Sequence, residues 1–131
     1  MKKNEKLAVC VVGNYLYLKR NLNRFINQVR NKGGYTGDIL VLTARFTPTF
    51  LLKLSNKKNV KYLKFNRVKF DKTTEKSLKA INTLGQPNRH IYKNFQWHKL
   101  HLFDHMLKKW DYIFYIDINM TIHKNINPIF K

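Results

Sequence analysis

Residues 7–13 form an unbroken apolar run closed by a glycine. A run of that length without polar alternation is the pattern of a central parallel strand covered on both faces. From Tyr17 to Lys32 the apolar positions fall at Leu18, Leu22, Phe25, Ile26 and Val29, the spacing of one buried helix face. Gly33-Gly34 stops that helix. Residues 38–43 read as a second strand and residues 60–65 as a third. Between them Thr47-Pro48 reads as an N-cap followed by proline at the first helical position, opening a short helix to about Ser55. Strand, helix, strand, helix, strand is a βαβαβ unit, which demands a parallel sheet with helices on its faces. Beyond a basic loop at 66–71, residues 73–83 read as a helix and 85–90 as a connection. The longest helix is expected over 94–110, and 112–116 is a fourth, wholly apolar strand. The predicted fold class is therefore α/β, a Rossmann-like parallel sheet flanked by helices, in one domain spanning residues 1–131.

Composition changes this picture in one respect. Hydrophobic content of 44% is ample for a packed core and excludes a disordered chain. The charge is lopsided: 26 Lys+Arg against 7 Asp+Glu, a net of +19. Such an excess suits phosphate-bearing partners, whether nucleic acid, anionic lipid or nucleotide. Twenty of the 26 cations are lysine and asparagine is abundant, a bias that an AT-rich coding sequence also produces. The single Cys10 excludes an internal disulfide and lies in the first apolar run, where a buried structural thiol is the default. No run is long enough for a membrane span, and the basic start followed by a short apolar run lacks a small-residue cleavage site. A cytoplasmic protein is therefore expected.

Ligands of open α/β sheets bind beyond the carboxyl ends of the strands, so the residues just after each strand matter most. Gly13-Asn14-Tyr15 follows the first strand and Asp117-Ile118-Asn119 follows the fourth. Six of the seven carboxylates have ready solvent-face, turn or capping roles, but Asp117 sits behind a wholly apolar strand and before Ile118 and Met120. A charge there is costly unless a cation or hydrogen-bond donors meet it. On an extended chain Asp117 and Asn119 project the same way and offer two hard oxygens, a donor pair for Mg²⁺ or Mn²⁺ bridged to a diphosphate. A strand-end Asx turn is the competing explanation. At 100° steps Phe95, Leu100, Leu102, Phe103, Met106, Leu107 and Trp110 share one face of the 94–110 helix, with Lys99 in its middle. That lysine either snorkels to water or meets an anion. His98, His101 and His105 fall on the opposite, polar face and read as solvated rather than as metal ligands.

Three segments together resemble the nucleotide-sugar-binding half of a GT-A-type glycosyltransferase of family 8, the group that includes glycogenin and galactinol synthase. Tyr115-Ile116-Asp117-Ile118-Asn119-Met120, with Ile122 and residues 125–130 behind it, is similar to that family's metal-binding segment. Gln96-Trp97-His98-Lys99-Leu100 resembles the segment before it, and Asn14-x-x-Tyr17-x-Lys19 resembles the uridine-binding turn. The resemblance implies that Gly13, Asn14 and Tyr17 border the nucleotide and that Asn14 and Tyr17 contact uridine. It further implies that Lys99 holds donor phosphate or sugar, while Asp117 and Asn119 hold Mn²⁺ or Mg²⁺. The implied activity is sugar transfer from a UDP-sugar donor to an acceptor that the residues do not identify.

Two departures bear on that expectation. The family's second aspartate is Asn119 here, which keeps an oxygen ligand but removes a charge, so metal affinity should fall. The family's acceptor site and a later metal-binding histidine lie beyond the segment matched, so the chain is expected to be either a fragment of a longer enzyme or a non-catalytic nucleotide-binding remnant. An apolar edge where the acceptor half would pack predicts self-association. The main rival is a basic nucleic-acid-binding module with a Rossmann-like core, favoured by the charge and the aromatic content. A dinucleotide-binding domain ranks lower, since no G-x-G-x-x-G follows the first strand.

Overall fold

The protein was analysed as a computed structural model, which describes residues 2–82 and 95–131. Four strands, β1 (Leu7–Val12), β2 (Asp38–Ala44), β3 (Val60–Phe65) and β4 (Tyr112–Tyr115), form one all-parallel sheet in the order β3-β2-β1-β4. The chain leaves β1 outward to β2 and β3 and returns to β1's other side only with β4. The fold is α/β, a Rossmann-like parallel sheet flanked by helices, and its order reverses between β1 and β4.

Apolar side chains of β1 alternate between two cores, which explains why the sequence shows no polar alternation. Val9 and Val11 point to a cluster with Ile39 and Val41 of β2 and with Leu18, Leu22, Phe25 and Ile26 of helix α1 (Tyr15–Asn27). Ala8, Cys10 and Val12 point the other way, toward Leu40, Leu42, Phe65, Leu107 and Trp110. Burial pushes the Cys10 thiol up to about 12, so it stays protonated and inert. Helix α1 begins on its N-cap Asn14, whose side-chain oxygen accepts from the Tyr17 amide at 2.9 Å. It passes into a π-helical turn, Gln28–Lys32, before Gly33. Gly34 has φ +65, a backbone region that glycine enters without Cβ cost.

Helix α2 (Lys72–Asn82) is capped by Asp71, which accepts from the Thr74 amide at 2.8 Å. No residue from Lys72 to Ile81 is buried, so α2 lies outside both cores. Among the described residues no helix is long and apolar enough to cross a membrane.

Two expected helices take other forms. The one opened by Thr47-Pro48 is a single 3-10 turn, Thr49–Leu51. Thr47 does not cap it, because its hydroxyl is buried against that of Thr43 at 2.9 Å and the chain then carries Leu52 into the core. The long helix expected over 94–110 is two 3-10 segments, Phe95–Phe103 and His105–Lys109, broken at Asp104. Asn94 and the expected connection at 85–90 lie outside the described residues.

Candidate functional site at the switch point

The change from an α-helix to 3-10 geometry reassigns every face of the 95–110 segment. At three residues per turn, Phe95, His98 and His101 line up, with Leu107 and Trp110 continuing the same phase. His98 is 3% exposed and its Nε2 lies 2.8 Å from the Thr43 carbonyl oxygen, between stacked Phe95 and the edge of Phe65. His101 stacks on Phe65 at 4.5 Å and its Nε2 lies 2.8 Å from the Asn66 carbonyl oxygen. The expectation that His98 and His101 are solvated is therefore corrected, since both pack on the sheet; His105 is exposed. The apolar stripe expected on this segment is likewise broken up, leaving Leu100, Phe103 and Met106 exposed and only Leu107 and Trp110 buried.

Burial, and next to it the neighbouring His101, hold the His98 pKa below its ordinary value, while the bond to Thr43 opposes them. With the folded pKa below the unfolded one, the unfolded chain binds the proton first. Stability is then full above about pH 6.5 and falls as the pH drops through that value toward the folded pKa. Urea denaturation at about pH 7.5 and about pH 5.5 should show wild type losing stability at acid pH and His98→Gln losing less. Parallel losses would assign the effect to other groups.

Gln96 and Lys99 fall one 3-10 turn apart and face the crevice where β1 and β4 part. Together with Val12, Gly13, Tyr17, Phe95, Asp117, Ile118 and Asn119 they line a cleft of about 140 Å³ beyond the carboxyl ends of these two strands. Five residues singled out in the sequence thus share one cleft: Gly13, Tyr17, Lys99, Asp117 and Asn119. Asn14 is not in the lining, and its side-chain oxygen is committed to capping α1. Gly13 has no side chain to spare, since a Cβ there would stand 2.9 Å from the Leu18 side chain. The first turn of α1 carries no acidic residue, so its free amide groups present their positive end without a competing charge.

Residues 117–120 are not extended, as the sequence pattern suggested, but form a turn closed by a 3.0 Å bond from the Met120 amide to the Asp117 carbonyl. Ile118 turns into the core while Asp117 and Asn119 remain at the cleft, so the side chains converge by the turn rather than by strand alternation. Two residues that no sequence pattern marks hold this turn. Arg24 donates to the Ile118 carbonyl at 2.8 Å and to the Met120 carbonyl at 3.4 Å. Gln28 accepts from the Ile122 amide at 3.0 Å. Both are helix residues more than ninety positions away in the chain, and no local pattern marks them.

Electrostatics single out Asp117. Each of the other six carboxylates has a fixed structural partner. Glu5 accepts from the Lys2 amide, Asp111 from the Lys6 amide, and Asp104 and Asp71 cap the segments after them. Asp38 meets Trp110 and Lys61, and Glu75 meets Arg67 and the Phe70 amide. Among the described residues the Asp117 carboxylate has neither a hydrogen bond nor an ion pair. Beside it, burial, and after it the Asp117 charge, push the Tyr115 phenol up to about 12. The Tyr115 hydroxyl is buried without a hydrogen-bond partner among the described residues. Lys99 Nζ stands over the Tyr115 ring, 5.5 Å from its centroid, which keeps the half-buried ammonium at the cleft rather than in the core.

The donor set fits a hard divalent cation that keeps part of its water. Asp117 and Asn119 offer a carboxylate and an amide oxygen, and the described residues hold no group of three His, Cys, Asp or Glu that would cage an ion without help. Mg²⁺ and Mn²⁺ are commonly held by one or two protein oxygens plus phosphate. Comparison with family models, curated proteins and solved structures returned no match for this chain.

Proposed function

We propose that the cleft binds the diphosphate of a nucleotide-sugar and that this chain is the donor-binding domain of a glycosyltransferase. The observation that carries the reading is the pairing of an unpartnered carboxylate, Asp117, with a cation, Lys99, across one cleft at the sheet's switch point. Neither group satisfies the other within ion-pair distance, and a metal–diphosphate unit satisfies both. Asp117 and Asn119 supply oxygens to Mn²⁺ or Mg²⁺, and Lys99 supplies a donor to phosphate. The α1 N-terminus behind Gly13 gives the anion further amide groups. Tyr17, half exposed at the rim, offers an aromatic face to the base of UDP. Bound metal would offset charge on the departing diphosphate as the sugar's anomeric carbon passes to an acceptor hydroxyl. Arg24 and Gln28 act as positioning residues, holding the turn that carries Asp117 and Asn119. With one carboxylate rather than two in the pair, the ion is held weakly until diphosphate arrives.

Calorimetric titration with UDP in Mn²⁺ and in EDTA tests this directly. Binding is expected in Mn²⁺ and should be at least about tenfold weaker in EDTA, the scale of one lost metal-bridged contact. Equal affinity in the two buffers would remove the metal role of Asp117 and Asn119. Lys99→Met keeps the length and the apolar stem while deleting the charge. It should weaken UDP binding by roughly 1.5–3 kcal/mol, the range for a hydrogen bond to a charged group. Stability should change by less than about 1 kcal/mol, because the lost cation–π contact is partly replaced by sulfur against the Tyr115 ring. Unchanged affinity would leave Lys99 a surface residue.

A further inference from the structure

Residues 45–54 carry an apolar tip that the proposed site does not use. Phe46 is 90% exposed, Phe50 83% and Leu51 50%, all within six positions of one another. Scattered exposed apolar residues need no explanation, but here two almost bare phenylalanines stand four positions apart on one short connection. The connection is not a loose excursion. Its root is fixed by the buried Thr43–Thr47 hydroxyl pair at 2.9 Å, and its far end by Leu52, which is buried in the α1 core. Pinned on both sides, the turn Thr49–Leu51 pushes Phe50 and Leu51 outward.

Cations surround this tip. Arg45 precedes Phe46 and is exposed; Lys57 lines the same groove as Phe50, and Lys19 and Lys53 line that of Leu51. From Ile39 to Phe70 the chain contains no carboxylate, and among the described residues none of these four cations makes an ion pair. Apolar groups able to enter an acyl boundary, ringed by lysine and arginine, are the two components of interfacial membrane binding. We infer that residues 45–54 dock the protein on an anionic lipid bilayer, Phe46, Phe50 and Leu51 entering the headgroup boundary while Arg45, Lys53 and Lys57 meet lipid phosphate. Single-stranded nucleic acid also favours cations with aromatics. The patch suits it less well, because Leu51 offers no π face for a base.

Co-sedimentation of the whole chain with vesicles tests the inference. Binding is expected to vesicles containing phosphatidylglycerol, and little or none to vesicles of phosphatidylcholine alone. The Phe46→Ser/Phe50→Ser variant loses no core contact, and an unchanged melting temperature verifies that it folds. Its partition onto anionic vesicles should fall by about tenfold or more, as expected when buried apolar area is removed from an interfacial anchor. Arg45→Gln/Lys53→Gln should weaken binding more at low salt than at high salt. Anionic-vesicle binding that survives loss of both phenylalanines would overturn the proposal in favour of diffuse attraction by net charge. Phenylalanine-dependent binding to a labelled single-stranded oligonucleotide, with no vesicle binding, would overturn it in favour of a nucleic-acid partner. A phenylalanine-dependent dimer in lipid-free gel filtration, again without vesicle binding, would assign the patch to a second copy of the chain.

Discussion

Replacing Asp117 with alanine should abolish the Mn²⁺ dependence of UDP binding, lowering affinity in Mn²⁺ to the level that wild type shows in EDTA. The expected loss is roughly 10–100-fold, the scale measured when a group that holds or orients a metal is removed. The fold should survive, because the Asp117 side chain makes no hydrogen bond or ion pair among the described residues and the residue is half exposed. Stability unchanged or raised, together with affinity lost, is the signature of a residue kept for a ligand. Asp117→Asn separates charge from geometry, since it keeps an oxygen ligand and should retain part of the metal dependence. A marked drop in melting temperature with Asp117→Ala, and no change in UDP binding, would instead make Asp117 a structural residue of the turn at 117–120.

The second large effect concerns stability. Phe25 is 0% exposed and is the largest of the fully buried side chains, lying on the α1 face that packs against Val9, Val11 and Ile39. Phe25→Ala removes most of a ring that no neighbour can replace, and should cost about 3–5 kcal/mol from lost transfer energy and the cavity left behind. For a chain of this size that corresponds to a fall in melting temperature of roughly 10–20 °C. The consequence should reach the cleft, because α1 also carries Tyr17 and Arg24, and the π-helical turn continuous with it carries Gln28, whose contacts hold residues 118–122. Weaker UDP binding is therefore expected in Phe25→Ala even at temperatures where it remains folded. A loss below about 1.5 kcal/mol would show that α1 is not docked on the sheet as described.

The strands and α1 were legible in the sequence because each carries its own local signal. An unbroken apolar run, β1, has only one stable place in such a fold, between two layers. The five apolar positions from Leu18 to Val29 fix which face of α1 is buried whatever it packs against. The strand order was not legible: a βαβαβ unit leaves more than one arrangement open, and only the structure sets β4 beside β1. Asp117 was legible for a related reason: an isolated carboxylate behind an apolar strand is costly unless something meets it, and the six others had ready solvent-face, turn or capping roles.

Tertiary structure alone decided the geometry of the segment 95–110 and of the turn at 117–120. Apolar residues here stand at both three- and four-residue spacings, so their pattern alone does not choose between the α-helical and 3-10 periods. Packing does, by setting His98 against the Thr43 carbonyl and His101 against Phe65, contacts made to the ends of β2 and β3. That choice turned His98 and His101 inward, where an α-helical wheel had placed them on the polar face, and set Lys99 at the cleft. Likewise Thr47 gave up its expected capping role for a hydroxyl partner four residues earlier, once both were buried together. Arg24 and Gln28 left no trace in the sequence, because their task is to bond backbone carbonyl and amide groups more than ninety residues away. Backbone groups are the same at every position, so a side chain that bonds them can be recognised only when the fold has brought the two together.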